Sequence, residues 1–329
     1  MKKFLALGLL VTLVFSSGIA KAQSDQKLRG TVKIDGSSNV FLVTEAVAEE
    51  FLHEAPRVRV TVGVSGTGGG FKKFLAGETD ISDASRPIKP KELSVAKEKG
   101  IEFIELPVAY DGLSVVVNAQ NNFVDYLTVE ELRKIWQPGS SVKLWSDVRP
   151  AWPAKPIRLY GPGTDSGTFD YFTKVINGKA QASRPDYTAS ADPNVLVQGI
   201  AGDKNSLGYF GHAYYKENKN KLNLVPIDAG EGPVAPSATT INDGSYKPLS
   251  RPIFIYVRVK SLASAAVQKF VHFYIKNAGQ LAQEVGYVPL SDNVYSIAQE
   301  MITNKTAGSV FSKKEIEGKS MEDALRIAR

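Results

Sequence analysis

Three times in this chain a short run of strand-forming residues ends in a turn of glycine and hydroxyl side chains that opens directly into a helical pattern. Residues 31–34 lead into Gly36-Ser37-Ser38-Asn39, followed by Val43, Val47 and Phe51 at i, i+4 and i+8, ending before Pro56. Residues 57–64 place Val58, Val60, Val62 and Val64 on one face, then pass through Ser65-Gly66-Thr67-Gly68-Gly69-Gly70 to Phe71, Phe74 and Leu75. Residues 157–160 pass through Gly161-Pro162-Gly163-Thr164-Asp165-Ser166-Gly167-Thr168 to Phe169, Phe172, Val175 and Ile176. Apolar period two is a strand signal and period 3.6 a helix signal. Their alternation predicts an α/β fold with largely parallel sheets. Further strands are expected at 103–106, 113–118 and 253–257, and a last helix around Val267, Phe270, Val271 and Tyr274. No solenoid period or low-complexity segment interrupts the pattern.

The turns carry the chemistry. A helix start leaves about four backbone N–H groups without intrahelical partners and carries roughly half a positive charge. Glycine lets a ligand approach the backbone, and serine or threonine adds a rotatable O–H donor. Any one of these turns taken alone reads better as a helix N-cap than as a ligand site. Three such turns, two of them sharing Ser-Gly-Thr, point to a site for a tetrahedral oxyanion that needs little help from lysine.

The N-terminus bears on compartment. Met1-Lys2-Lys3 precedes an apolar run over 4–15, and Ala20-Lys21-Ala22 supplies a small-x-small cleavage pattern, so residues 1–22 read as a signal peptide removed after Ala22. The run is shorter than the roughly 20 residues a membrane span requires. Without cysteine there is no lipoprotein anchor, disulfide or thiolate ligand. Loss of Lys2, Lys3 and Lys21 takes the net charge from +6 to +3. That suits an anionic ligand but gives no argument for nucleic acid, since the densest basic stretch, Arg57-Val58-Arg59, reads as the solvated side of a strand. The mature chain is long for one domain, so two lobes are expected.

Enzyme readings are weak. Only His53, His212 and His272 exist, the first and last on polar helix faces, so neither a Ser-His triad nor a zinc site finds its residues. The segment from Gly66 to Lys72 has Phe71 where a P-loop needs glycine.

The ordered set Asp35-Gly36-Ser37-Ser38, Val64-Ser65-Gly66-Thr67-Gly68-Gly69-Gly70, Asp80-Ile81-Ser82-Asp83-Ala84-Ser85-Arg86-Pro87, Ala109-Tyr110-Asp111-Gly112, Thr164-Asp165-Ser166-Gly167-Thr168 and Leu207-Gly208-Tyr209-Phe210-Gly211 resembles the periplasmic phosphate-binding protein family. The resemblance implies a type II periplasmic-binding-protein fold, with two lobes joined by two crossing strands near 109–113 and 250–255. It implies lobe one at 23–110 and 251–329 and lobe two at 111–250. The implied function is capture of inorganic phosphate in the periplasm for the permease of an ABC importer, by a monomer that needs no cofactor or metal and is not an enzyme. The implied phosphate site holds Ser37, Ser38, Asn39, Val40, Ser65, Thr67, Gly68, Ser85, Arg86, Asp165, Ser166, Gly167 and Thr168. Arg86 is the expected main cation. Some family members carry Asp where Ser85 stands and Arg where Pro162 stands; this chain resembles the branch with Ser-Arg. Asp165, then Asp111, is the expected acceptor for the phosphate proton. Two alternatives remain: a binder of sulfate, molybdate or phosphonate on the same fold, or a secreted hydrolase.

Overall fold

A computed structural model of the protein describes residues 27–312 and 320–327; the expected signal peptide lies outside them. Its main sheet has nine strands, eight of them in the order Val58–Gly63, Gly30–Gly36, Ile81–Ala84, Ser250–Arg258, Phe103–Asn118, Ser206–Gly211, Arg158–Pro162, Thr188–Ser190, with Leu222–Val225 also paired to Phe103–Asn118. Both outer portions are parallel: Gly30–Gly36 pairs in parallel with its two neighbours, and Arg158–Pro162 with its two. Helices Ser38–Glu54, Gly66–Ala76 and Gly167–Asn177 follow the strands that the sequence pattern placed before them.

The middle of the sheet departs from expectation. The strands expected at 103–106 and 113–118 are one strand of 16 residues, Phe103–Asn118, buried along its length except at Tyr110. A strand covered on both faces shows no apolar alternation by which to trace it. Residues 103–112 pair antiparallel with Ser250–Arg258, and 113–118 with Ser206–Gly211 and Leu222–Val225. Phe254 faces Pro107 and Ile253 faces Ala109, so Val108 is an extra residue in the ladder beside a proline with no N–H to donate.

Two apolar cores lie on either side of this junction. Val32, Val47, Phe51, Ile104, Ala109, Ile253, Phe270 and Tyr274 belong to one, closed by helices Ser38–Glu54 and Ala265–Glu284. Leu113, Trp136, Trp145, Phe172, Tyr209, Tyr246 and Leu249 belong to the other, where Phe172 stacks on Tyr209 at 3.7 Å between ring centroids. The change of core falls between Ala109 and Leu113 on one strand and between Leu249 and Ile253 on the other. Two strands therefore carry the chain between two halves, each built round its own core, with Ala213 and Val288 packing across the junction. Buried Glu105 fastens the C-terminal return segment, accepting from Tyr256 Oη (2.5 Å), Ser309 Oγ (2.8 Å) and the N–H groups of Val310 (2.7 Å) and Phe311 (3.0 Å). Burial raises its pKa and these four bonds oppose the rise.

Asp83 lies in the strand beneath the first helix start. Its carbonyl accepts the Ser37 N–H at 3.0 Å, while both carboxyl oxygens lack hydrogen bonds of normal geometry. Burial pushes its pKa up to about 8; the Thr44 hydroxyl lowers it and Asp35 adds to the rise. The folded state therefore keeps this proton while the unfolded chain releases it above about pH 4, so stability falls as pH climbs from there toward 8. Asp83→Asn should remove that loss, gaining on the order of 3 kcal/mol relative to wild type between pH 5 and pH 8. Denaturant unfolding at the two pH values checks this, and equal pH slopes in the two proteins would contradict it.

Candidate functional site

The three turns read from sequence converge where the two halves meet. In the first half, Ser37 caps helix Ser38–Glu54 by accepting the Asn39 N–H, and its own hydroxyl donates to Ser85 Oγ at 2.9 Å. Thr67, in the first turn of Gly66–Ala76, accepts the Ser85 N–H at 3.2 Å and lies 3.2 Å from Ser85 Oγ. All three hydroxyls are buried. From the second half, Ser166 caps helix Gly167–Asn177 by accepting the Thr168 N–H at 3.1 Å. Gly167 then abuts the opposite hydroxyls: a methyl group there would lie 2.5 Å from both Ser85 Oγ and Thr67 Oγ1. The Gly68 N–H donates to the Asp165 carbonyl at 3.0 Å, closing the contact.

A cation missed in the sequence stands at the junction. Arg251, 3% exposed, donates through Nη1 to the Gly167 carbonyl (2.8 Å) and through Nη2 to Thr168 Oγ1 (2.6 Å) and Asp111 Oδ2 (3.2 Å). Its Nε has no protein partner. Asp111 Oδ2 also accepts from Asn39 Nδ2 at 3.0 Å, and Oδ1 retains accepting capacity. Burial raises the Asp111 pKa, and Arg251, Asn39 and the His212 backbone N–H pull it back. The available signal was Ser250-Arg251-Pro252: a lone cation opening an apolar strand where the second crossing was expected.

Several expected residues have other occupations. Arg86 faces carboxylates: Nε donates to Asp170 Oδ2 (2.8 Å), and Nη1 and Nη2 to Glu92 (2.9 and 2.8 Å), with Nη1 also reaching the Pro87 carbonyl. Four of its five N–H donors are thereby engaged. The Asp165 side chain is 63% exposed and pairs with Lys72 at 3.3 Å. Neither is it the helix cap, since Ser166 holds that position. The Val40 side chain is core and its N–H pairs with the Ser37 carbonyl. Asn39 turns its amide toward Asp111. The Ser65 N–H (3.2 Å) and hydroxyl both go to Asp35, which also holds Lys73 at 2.5 Å. Ser38 is half-buried, and its carbonyl accepts from Tyr214 Oη at 2.9 Å.

The donors thus brought together are hydroxyls, a guanidinium and helix starts, the chemistry of an oxyanion cradle. Among the described residues no group of His, Cys, Asp and Glu is placed to hold a metal ion. His212 pairs with Ser114 Oγ at 2.9 Å, but the pair is buried, and burial with nearby Lys216 lowers the imidazole pKa to about 4.

Residues 21–278 match the model of the PBP superfamily domain. The chain is 46% identical to Protein SphX of Synechococcus elongatus over 97% of this chain and 95% of that one. It is 40% identical to the Phosphate-binding protein PstS of Staphylococcus saprophyticus over 90% and 92%. Among solved structures, the phosphate-bound form of a Clostridium perfringens protein assigned as a phosphate ABC transporter substrate-binding protein aligns with a TM-score of 0.67 at 25% identity, covering 80% of this chain and all of that one.

Removing one member of a buried ion pair costs about 3–5 kcal/mol, because the other charge is left uncompensated. Arg251→Met should destabilise the protein by about that amount, and Asp111→Asn/Arg251→Met should recover most of the loss. Equal losses in the single and double variants, by denaturant unfolding, would contradict the pairing.

Proposed function

The chain belongs to the PstS family of phosphate-binding proteins within the periplasmic-binding-protein superfamily, and from that premise we propose that it captures inorganic phosphate outside the cytoplasmic membrane and passes it to the permease of an ABC importer. The family is one of substrate-binding transport proteins, not of enzymes, and its fold is the type II binding-protein fold. The observation that carries the reading is the meeting of Gly167 with Thr67 and Ser85 across the junction, with Arg251 alongside. The proposed phosphate site comprises Ser37, Ser38, Thr67, Ser85, Ser166, Gly167, Thr168 and Arg251, with Arg251 replacing Arg86 as the principal cation. Lobe limits at 110/111 and 250/251, cleavage after Ala22, export to the periplasm and a monomeric state complete the proposal.

Closure gives the site its affinity. Hydroxyl and N–H donors on one lobe reach an anion held by the other, so the ligand favours the closed form by touching both halves. A dissociation constant near 1 μM corresponds to about −8 kcal/mol. Charge-assisted hydrogen bonds contribute about 1.5–3 kcal/mol each, so a handful suffices after desolvation and lost ligand freedom are subtracted.

Phosphate keeps at least one proton at neutral pH and sulfate keeps none, so a buried acceptor favours phosphate and repels sulfate. Asp111 suits this role: it is buried at the hinge and bonded to Arg251, whereas Asp165 points to solvent. Titration calorimetry with phosphate, sulfate and molybdate tests the function: micromolar or tighter binding of phosphate, with sulfate at least about 100-fold weaker, is expected. Preference for sulfate or molybdate would overturn it. Gly167→Ala should weaken phosphate binding by about 100-fold or more by blocking closure, with little change in thermal stability. Asp111→Asn should erode discrimination against sulfate while Asp165→Asn leaves it intact; the reverse order would reject this assignment.

A further inference from the structure

Between the lobes, on the side of helix Gly167–Asn177 away from Arg251, sits a second charge cluster that does not belong to the cradle. Asp170 Oδ2 accepts from Arg86 Nε and from Lys89 Nζ, both at 2.8 Å, and the guanidinium is gripped from its own lobe by Glu92. Arg86 and Asp170 side chains are 8% and 5% exposed, and Arg86 lies 5.2 Å from the Phe71 ring centroid. Asp170 stands in the first turn of its helix, next to Phe169, in the half whose core holds Phe172. Arg86 and Lys89 flank Ile88, which packs with Phe71 in the other half.

We propose that Arg86, Lys89 and Asp170 form an inter-lobe latch that sets how fast the closed protein releases its ligand, without touching the ligand. The charges balance only on closure. The Arg86–Lys89–Glu92 group carries one net positive charge, Asp170 carries one negative charge, and closing neutralises the two. Glu92 holds the guanidinium by both terminal nitrogens, leaving Nε aimed at the opposite lobe before closure. Opening exposes and rehydrates both partners, which offsets part of the cost of separating them, whereas removing one partner leaves the other charge buried and unpaired in the closed form and so favours opening. The Lys72–Asp165 pair and the Gly68–Asp165 bond lie nearby, but that ion pair is solvent-exposed and adds little.

The latch rests on the phosphate reading, yet its predictions differ from those for a ligand residue. Asp170→Asn should speed phosphate release by about 10–100-fold in stopped-flow while the association rate stays within about threefold. Phosphate and arsenate affinities should fall by the same factor, since no anion contact is lost. Lys89→Met, which removes the more exposed cation, should speed release by about threefold. Arg86→Gln/Asp170→Asn should release no faster than Asp170→Asn alone. A release rate within about twofold of wild type in Asp170→Asn, or unequal losses for the two anions, would overturn the proposal. The chain has no cysteine, so Lys91→Cys and Lys174→Cys allow clean spin labelling, one label on each side of the cleft. If phosphate failed to bind wild type, the functional reading would fall. The latch would then fall only if label distances coincided in wild type and Asp170→Asn, and a longer distance in Asp170→Asn would support it.

Discussion

One buried arginine ties the two halves together where they join. Arg251 sits on one of the two strands linking the halves, pairs with Asp111 on the other, and reaches Gly167 and Thr168 at the start of a helix in the second half. An unpaired guanidinium would be costly there, so each of its contacts constrains the relative position of strand, strand and helix. Asn39 extends the constraint to the first helix start through Asp111. The hinge and the cradle are therefore one hydrogen-bonded unit, and anything that moves the lobes must rearrange it.

From that unit follows the division of labour around the cleft. Hydroxyls and helix starts at the centre supply a donor-rich surface with little excess charge. Ion pairs of opposite sign lie outward, at Arg86–Asp170 and Lys72–Asp165. On the proposed reading recognition and closure are separate tasks: the inner groups would choose the anion, and the buried Arg86–Asp170 pair would adjust how long it stays. Recognition by hydroxyls, helix starts and one buried guanidinium would need little excess positive charge, in keeping with a net charge of +6 over the whole sequence.

Much of the fold was legible because it is local. Val43, Val47 and Phe51 mark one helix face, Ser37 and Ser166 cap their helices as hydroxyls before apolar runs do, and the repeated Ser-Gly-Thr places two helix starts. Their convergence was expected from the same chemistry. What was not legible depends on pairs distant in sequence. Arg251 lies 140 residues from Asp111, and nothing beside it signals a partner. Arg86 looked like an anion ligand because Glu92 and Asp170 were not visibly its neighbours; the first is six residues away and the second 84. The single strand Phe103–Asn118 was divided in two because burial on both faces erases the alternation that marks a strand. His212 gained its partner, Ser114, from the neighbouring strand of the sheet.

The most direct test is a crystal structure grown with phosphate. The account predicts one tetrahedral anion at the junction, its oxygens within hydrogen-bond distance of Thr67, Ser85, the Gly167 N–H, Thr168 and Arg251. An anion bound instead by Arg86, or one held by a single lobe with Arg251 out of reach, would contradict it.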